Sequence, residues 1–145
     1  MRIENHLIEI DTGEGISVTN LSPEIEARLA ASGTRQGFIL LSSRHTTTAL
    51  TVNEDEARLL DDIRVFFQRL VPADASYKHN DIHLRECPPD EPENAHSHLI
   101  AMLLGASENV PVVDGRLGLG HWQSALLVEL DGPRRRQVSL QIVGD

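Results

Sequence analysis

The sequence predicts an α+β fold: a largely antiparallel β-sandwich with about three helices packed on it, in a single domain. The length of 145 residues suits one hydrophobic core, and no repeat, low-complexity segment or linker divides residues 1–145. Predicted strands outnumber predicted helices, and tight turns join most of them, which favours antiparallel pairing. Aromatic residues make up only 3% of the chain, so Leu, Ile, Val and Ala must build most of the core.

Composition excludes several classes of protein. A content of 40% apolar and 24% charged residues is ordinary for a globular domain, and no apolar run approaches the length of a membrane span. The formal charge of −9 argues against binding to nucleic acid. The N-terminal residues lack the apolar stretch of a signal peptide, and a lone cysteine, Cys87, permits no internal disulfide. We therefore expect a cytoplasmic protein that binds neither nucleic acid nor membrane.

The first third of the chain is predicted to contain three strands and one helix. Ser22 and Pro23 are typical of an N-cap and of the first helical position, and Gly33 is typical of a helix end. The run of four apolar residues at 38–41 is typical of a strand buried on both faces. The predicted strands lie at Ile3–Ile10, Gly15–Asn20 and Gly37–Ser42.

A second helix is predicted to begin after a short strand at Thr48–Val52. Asn53 can cap this helix and Glu56 can close a capping box, with three acidic residues at the positive end of the helix dipole. Apolar residues recur at helical spacing up to Pro72, which ends the pattern. A polar connection over residues 73–93 follows, and loops of that length are often functional.

A third helix and three strands complete the prediction. Asn94 is expected to cap a helix over Ala95–Leu104, and Gly105 is expected to close it. The remainder alternates as β structure, with a turn at Asp114-Gly115. The strands are predicted at Val110–Val113, at Trp122–Leu130 and along a last segment in which Val138, Leu140 and Ile142 share one face.

Seven histidines in 145 residues exceed ordinary usage, and three of them have a context that suits a metal ligand. His45 lies between a buried strand and a helix, His79 lies in the long connection, and His98 lies in the first turns of the third helix. A catalytic zinc site commonly takes three protein ligands and keeps one position open. Because the spacing matches no local metal signature, the residues by themselves leave open a simpler role, a hydrogen bond at the end of an element.

The other histidines are weaker candidates. Residues two positions apart in a helix are separated by about 200° around its axis. Helical geometry therefore does not put His96 and His98 in one ligand set. We expect His98 to face the core side of Leu99 and Leu103, and His96 to point to solvent. His83, in the long loop, stays ambiguous.

Residues 134–136 are three consecutive arginines, a local excess of positive charge in an acidic chain. Such a cluster could hold a small phosphorylated ligand. The alternative is a solvated turn that happens to carry three arginines, and composition favours this second interpretation.

Several segments, in order along almost the whole chain, resemble the YjbQ-like family. Residues 45–54 (HTTTALTVNE) are similar to its His-Thr-[Thr/Ser]-Ala stretch that runs into Asn-Glu, and residues 77–79 (YKH) are similar to its aromatic-x-His element. Residues 97–107 resemble its helix with a Ser-His-Leu start and a Leu-Gly-x-Ser end. Residues 115–123 (GRLGLGHWQ) resemble its most specific signature, Gly-Arg-Leu-x-Leu-Gly-Thr-Trp-Gln, and residues 129–136 (ELDGPRRR) resemble its closing strand pair.

The resemblance implies a homotrimer of β-sandwich subunits, with a metal ion held by His45, His79 and His98. Imidazole ligands favour zinc or another transition ion over Mg²⁺, which prefers oxygen ligands. The resemblance also implies a secondary thiamine-phosphate synthase activity, a transfer with loss of pyrophosphate that usually requires Mg²⁺. An imidazole site suits metal-assisted hydrolysis or carbonyl polarisation at least as well.

Two functions from different classes stay open. The first is a metal-dependent enzyme that acts on a small phosphorylated or anionic molecule, with Glu54 as the expected general base. His121 is the second catalytic candidate, because it stands where the family usually has Thr. The other function is a non-catalytic module in which the metal stabilises the fold and the pocket only binds a ligand; a fourth protein ligand would favour it. The expected substrate-binding residues are Thr46, Thr47, Asn53, Arg116, Gln123 and Arg134.

Overall fold

Alternating apolar residues build two antiparallel sheets, and three helices pack with them, which confirms the predicted α+β sandwich. The computed structural model describes residues 1–145. Its elements, in chain order, are β1 (Arg2–Asp11), β2 (Gly15–Asn20), α1 (Ser22–Ser32), β3 (Gln36–Ser43), β4 (Thr48–Asn53), α2 (Ala57–Leu70), α3 (Ala95–Leu104), β5 (Ser107–Val113), β6 (Arg116–Leu117), β7 (Ser124–Gly132) and β8 (Arg135–Gly144). Two 3₁₀ turns, at Lys78–Asn80 and Ile82–Leu84, lie between α2 and α3. None of the helices is long and apolar enough to cross a lipid bilayer.

The two sheets are built around β7 and β8. The larger sheet has the strand order β1-β8-β3-β5-β6, and the smaller has the order β2-β7-β4. Although β7 and β8 are consecutive in the chain, they lie in different sheets, so the turn between them joins the two layers. The predicted alternation in the last strand is confirmed, because Val138, Leu140 and Ile142 are all buried.

The main core lies between the two sheets. It contains 14 buried apolar residues, including Ile25 of α1, Leu127 of β7 and Leu140 of β8. A smaller cluster lies on the other face of the three-stranded sheet, where Phe67 of α2 and Ile100 of α3 pack. The layers are therefore the large sheet, the small sheet, and α2 with α3. Because β7 is covered on both faces, its run of apolar residues is nearly continuous.

The second helix begins later than its capping signals predict. β4 continues through Asn53, whose backbone pairs with the first residue of β7, so the predicted cap at Asn53 was wrong. Instead, the carboxylate of Glu56 accepts hydrogen bonds from the backbone N–H groups of Arg58 (3.0 Å) and Leu59 (2.8 Å). Strand pairing between residues distant in sequence outweighs the local cap. As a result, Glu54 precedes the helix and does not lie in its first turn.

The first helix keeps its predicted signals, shifted by one residue. The cap position falls on Leu21, and Ser22 is already helical. The hydroxyl of Ser22 accepts a hydrogen bond from the backbone N–H of Ala125 (2.9 Å), so it ties α1 to β7 and does not cap the helix. Pro23 lies in the first turn, and Gly33 ends the helix with φ of 71°, as predicted.

Two turns in the C-terminal half of the chain precede β6 and β7. Asp114 and Gly115 have φ values of 50° and 77°, and they join β5 to β6 as a two-residue turn. β7 begins two residues later than predicted, because Trp122 and Gln123 belong to the preceding turn. There the side-chain oxygen of Gln123 accepts a hydrogen bond from the backbone N–H of Gly120 (2.7 Å), and Trp122 is 69% exposed.

The position of the core makes a direct prediction about stability. Leu127 is fully buried between the sheets, whereas Leu103 on α3 is 64% exposed. Leu127→Ala should lower the free energy of unfolding by about 2–5 kcal/mol, because it removes buried contacts and leaves a cavity. Leu103→Ala, the matched control, should change it by less than about 0.5 kcal/mol. Urea unfolding followed by circular dichroism measures both; equal costs would contradict this assignment of the core.

Candidate histidine pocket

Hydrogen bonds to β3 and β8 orient His45, which lies on the connection from β3 to β4. Its backbone N–H donates to the hydroxyl oxygen of Ser43 (3.2 Å), and that hydroxyl in turn donates to the His45 carbonyl (3.3 Å). The Nε2 atom of the half-buried His45 ring accepts a hydrogen bond from the backbone N–H of Gln137 in β8 (2.8 Å). Both the backbone and the ring of His45 are therefore held by the large sheet.

His79 and His98 meet at the start of α3. Their ring centroids are 4.8 Å apart, and the rings contact edge to face at 71°. The long connection is anchored there, because the side-chain oxygen of Asn80 accepts a hydrogen bond from the backbone N–H of Ala95 (3.1 Å). The guanidinium of Arg85 also donates to the carbonyl of His79 (2.7 Å). Folding of residues 73–93 against α3 is thus what brings the two imidazoles together.

The third helix has its predicted range but turns a different face to the core. Ser97 and Ile100 are fully buried, and the Ser97 hydroxyl donates to a carbonyl of β7 (2.6 Å). Leu99 and Leu103 are 42% and 64% exposed, so the expectation that they meet the core was wrong. His96 is half-buried with its Nδ1 atom shielded from solvent, which also corrects its expected position. The hydrogen bond of Ser97 to the small sheet fixes this rotation of the helix.

Burial favours the neutral form of His45 and His98. Burial lowers the pKa of His98 below its ordinary value of 6.5, and repulsion from His79 lowers it further. Burial also lowers the pKa of His45, and the positive charges of Arg136 and Arg44 act in the same direction. A neutral imidazole retains a free electron pair, which is the form that binds a metal ion.

A cavity of about 400 Å³ lies beside these histidines, within the usual range for small-molecule sites. His45 and Thr46 form one side, and His98 and Met102 of α3 form the other. His79 lies on the far side of the His98 ring, in an adjoining depression with Lys78. The full lining of the cavity is His45, Thr46, Thr48, His98, Ala101, Met102, Gly105 and Ala106. The lining contains no carboxylate.

The residues fit the predicted metal ion in part. The Nε2 atom of His79 is buried without a hydrogen-bond partner next to His98, as expected for a ligand atom that awaits an ion. His45 differs, because its Nε2 already accepts from Gln137 and the other nitrogen of a neutral ring carries the proton. No three His, Cys, Asp or Glu side chains converge closely enough to hold a metal ion. The structure thus pairs two of the three expected ligands and places His45 across the cavity.

Five of the other predicted site residues lie away from the cavity. β4 begins three residues after His45, whereas Asn53 is its last residue and Glu54 follows directly; the strand between them is about 17 Å long at ~3.3 Å per residue. Gln123 and His121 precede β7, whose first residue pairs with the end of β4. Arg116 is exposed on β6, beside the end of β5 that is farther from the cavity. Within one chain, none of these five side chains reaches His45 or His98.

The three remaining predicted residues have different surroundings. Thr46 lines the cavity and is exposed. Thr47 is buried, and its hydroxyl oxygen accepts a hydrogen bond from the guanidinium of Arg136 (2.8 Å). Arg134 donates to both the backbone carbonyl (2.9 Å) and the carboxylate (2.8 Å) of Asp131. Only Thr46 of this set is therefore placed to contact a ligand in the cavity.

The arginine cluster at residues 134–136 is neither a free anion site nor a uniformly solvated turn. Each arginine faces its own carboxylate, and the third of these pairs is almost completely buried. The pairs are Arg134–Asp131, Arg135–Glu9 and Arg136–Glu129. Sequence reasoning missed the buried pair, although a single Glu inside the apolar segment 125–130 is a signal, because a buried carboxylate requires a partner.

Comparison with known proteins supports one family over nearly the whole chain. The family model described as UPF0047 protein YjbQ-like matches residues 6–145. A UPF0047 protein of Methanothermobacter thermautotrophicus is 39% identical over 144 residues, which is 99% of this chain and 94% of the relative. A UPF0047 protein of Archaeoglobus fulgidus is 39% identical over 131 residues, which is 90% of this chain and 94% of that relative.

Solved structures show the same fold. A YbjQ-like protein of unknown function from Sulfolobus solfataricus superposes with a TM-score of 0.90 at 34% identity, covering 99% of both chains. A hypothetical protein from Aeropyrum pernix superposes with a TM-score of 0.88 at 37% identity, covering 98% of this chain and 99% of the other. The sandwich and its helices are thus shared along the full length.

The neutral histidines predict a loss of stability at mildly acidic pH. Burial lowers the pKa values of His45, His96 and His98, so the unfolded chain binds more protons than the folded one as pH falls through 6.5. The free energy of unfolding should therefore decrease from pH 7.5 to pH 5.5. Urea midpoints of chelator-treated protein at several pH values measure this slope. His98→Gln should flatten it, whereas His83→Gln, in the exposed loop, should not; an unchanged slope in His98→Gln would refute burial of the His98 ring as a cause.

Proposed function

The chain belongs to the UPF0047 family of YjbQ-like proteins, and we propose that it is a metal-dependent enzyme that acts on a small anionic or phosphorylated molecule. One observation carries this proposal: His79 and His98 meet beside a ligand-sized cavity, with the buried Nε2 of His79 unpartnered. Buried polar atoms rarely lack a partner unless something else supplies it. A metal ion is the partner that two adjacent imidazoles suit best.

Zinc is the ion we propose. His79 and His98 would hold it, and His45 would join them when its ring releases the backbone N–H of Gln137. Imidazole nitrogen favours zinc or a similar transition ion, whereas Mg²⁺ favours oxygen. A bound zinc ion supplies electrostatic polarisation of an oxygen atom of the substrate.

Uncompensated positive charge around the cavity supports an anionic ligand. In a chain of net charge −9, an anion is repelled unless cations stand close to its site. Arg44, next to His45, and Lys78, next to His79, make no ion pair with a carboxylate, and neither does Arg85. These three cations surround the histidines, while the arginines at 134–136 are already neutralised. Thr46 can add a hydroxyl donor from the cavity wall.

The reaction class follows from the same residues. Hydrolysis or carbonyl polarisation at an imidazole-held ion suits the site, and a thiamine-phosphate synthase-like transfer is the secondary activity that we propose with it. The alternative is a non-catalytic metal-stabilised ligand-binding module. Two observations favour that alternative, since the cavity lining lacks a carboxylate to act as general base and His45 is already hydrogen-bonded.

Assembly bears on the choice between enzyme and module. We propose a homotrimer in which a neighbouring subunit completes the site. Within one chain, Glu54 follows the far end of β4, a strand about 17 Å long, whereas His45 precedes its start. A second copy is the means by which Glu54, as the proposed base, and Arg116 or Gln123, as proposed anion ligands, would approach the cavity. Symmetric association commonly builds shared sites of this kind.

The metal proposal predicts a specific loss of zinc. His98→Ala and His79→Ala should each lose most of the zinc that wild-type protein retains after gel filtration, measured by mass spectrometry of the metal. His83→Ala, on the exposed loop, is the matched control and should retain it. Loss of zinc in His45→Ala would indicate a three-ligand site, and retention of zinc would indicate a two-ligand site. Full zinc content in His98→Ala would show that the proposed ligand set is wrong.

The anion proposal predicts an effect of the unpaired cations. Arg44→Gln and Lys78→Gln should each weaken binding of inorganic phosphate to zinc-loaded protein roughly threefold, as removal of one exposed charge does. Arg69→Gln, an exposed and equally unpaired arginine on α2, is the control and should bind as wild type. Calorimetric titration at low salt measures the dissociation constants. Equal affinity in all four proteins would exclude an anion at this cavity, and turnover of a phosphate monoester would favour the enzyme over the module.

A further inference from the structure

The histidine cavity has two walls of opposite chemical character. One wall carries the polar groups, which are the imidazoles of His45 and His98 and the exposed hydroxyl of Thr46. The hydroxyl of Thr48, also in the lining, is already paired with that of Ser43. The second wall is the end of α3 with the turn after it, and none of its side chains is charged or donates a hydrogen bond. We call it the apolar wall: Ala101, Met102, Gly105 and Ala106.

The backbone of the apolar wall offers little to a polar ligand either. The carbonyl of Ala101 accepts a hydrogen bond from the N–H of Gly105 (2.9 Å), and the Gly105 carbonyl accepts one from the N–H of Leu50 (3.1 Å). The carbonyl of Ala106 accepts from the N–H of Ser43 (2.8 Å). Because each of these carbonyls already has a partner, a ligand meets mainly carbon atoms on this wall. A polar group placed there would lose its hydrogen bonds to water without replacement, which is unfavourable.

Met102 is the one large side chain of the apolar wall, and 82% of it is exposed. Its unbranched chain adapts to apolar groups of different shape, and its polarisable sulfur makes favourable contacts with aromatic rings. Covering this side chain with an apolar group removes apolar surface of both from water, which is favourable. The cavity therefore has an adaptable apolar contact directly across from its polar wall.

The distribution of charge along the cavity sets the orientation of a ligand. Arg44 stands next to His45, and Lys78 lines the depression on the far side of the His98 ring. Gly105 instead follows the C-terminal end of α3, where the aligned backbone dipoles leave a partial negative charge. An anionic group is therefore stabilised beside the histidines and disfavoured beside Gly105. From His98 to Gly105 the helix extends about 10 Å at ~1.5 Å per residue, which leaves room for an apolar group the size of a phenyl ring.

We propose that the ligand of this site is an anion with an apolar body, such as an aryl or alkyl phosphate, and that Met102 is the residue that determines this specificity. The anionic group faces His45 and His98, and the apolar body lies on the apolar wall against Met102. This inference rests on the anion site of the proposed function and names the class of anion that fits it. A phosphate ester with a polar body, such as a sugar phosphate, would place its hydroxyl groups against carbon atoms and lose their hydrogen bonds.

The test compares two phosphonates, whose carbon–phosphorus bond resists hydrolysis, so that calorimetric titration of zinc-loaded protein reports binding alone. Methylphosphonate supplies the anion with a minimal body, and phenylphosphonate adds a ring. Wild-type protein should bind phenylphosphonate about tenfold more tightly, because the ring leaves water for the apolar wall. Met102→Gln keeps the length of the side chain but makes it polar. This variant should reduce the preference about threefold and leave the affinity for methylphosphonate unchanged.

Two further variants are controls for Met102→Gln. Met102→Leu keeps the wall apolar and should retain the preference for phenylphosphonate. Leu103→Gln makes the same polar change at the next position, which is 64% exposed and outside the cavity lining, and should bind both phosphonates as wild type does. Sedimentation velocity and zinc analysis verify that each variant keeps the wild-type assembly and metal content. The wild-type comparison decides the ligand class by itself, whatever Met102→Gln does to assembly.

The outcomes separate this inference from the proposed function. Equal affinity of wild-type protein for the two phosphonates overturns the apolar body while leaving the anion site standing. A preference for phenylphosphonate that Met102→Gln and Leu103→Gln leave equally intact overturns the role of Met102. If neither phosphonate binds, the anion part of the proposed function fails and this inference fails with it. The metal part is decided separately, by the zinc content of the histidine variants.

Discussion

The buried ion pair between Glu129 and Arg136 holds the two sheets and the site in a fixed relation. Arg136 donates to both carboxylate oxygens of Glu129 at 2.6 Å, and it also donates to the hydroxyl of Thr47 (2.8 Å). The remaining capacity of the carboxylate is taken by the Thr12 hydroxyl (2.7 Å) and by the backbone N–H groups of Leu130 (3.0 Å) and the residue after it (2.8 Å). Burial alone would raise the pKa of Glu129, but these bonds hold it below its ordinary value. Removing either partner would leave an uncompensated buried charge, typically a cost of about 3–5 kcal/mol.

The position of the pair explains why the site depends on it. Glu129 lies on β7 of the small sheet, and Arg136 lies on β8 of the large one, so the pair spans the layers where the chain passes between them. Thr47, held by Arg136, is two residues from His45, and Gln137, which bonds the His45 ring, directly follows Arg136. One desolvated interaction thus holds two neighbours of His45: Thr47 on the same connection, and the strand segment whose Gln137 N–H bonds the ring. Because the desolvation of two charges offsets much of their attraction, a buried pair of this kind adds little net stability even though losing one partner is costly.

The sequence predicts best the features that short segments decide. The helix end at Gly33 and the turn at Asp114 follow from local capping and turn preferences, and the structure confirms them. The range of α3 is also confirmed, but the Asn94 side chain does not cap this helix and instead donates to Asp131 (2.8 Å). The cap at Asn53 failed because a strand partner 71 residues away in the chain competes for its backbone. The exposed position of Leu99 could not be read from periodicity either, because a polar contact of the helix with the small sheet sets its rotation.

The candidate site shows the same division between local and distant information. His79 and His98 are 19 residues apart, and their meeting depends on how residues 73–93 fold back, which no local pattern encodes. The resemblance in the sequence points to three histidines, but it cannot state that His45 carries a competing hydrogen bond. The Glu129–Arg136 pair lies between these extremes, because one of its two members can be recognised from the local sequence. No sequence motif marks the pair. A carboxylate inside an apolar strand nevertheless indicates that a positively charged partner must lie close to it.

The separation of the site residues along β4 links chemistry to assembly. The small sheet is rigid, and β4 is paired with β7 along its whole length, so no local motion brings Glu54 to the histidines. The length of β4, about 17 Å at ~3.3 Å per residue, also exceeds the reach of any side chain. The two groups of residues therefore act in separate places, or they meet between subunits. The absence of a carboxylate from the cavity lining fits the second arrangement, in which a neighbouring copy brings Glu54 to the cavity, as we propose for the homotrimer.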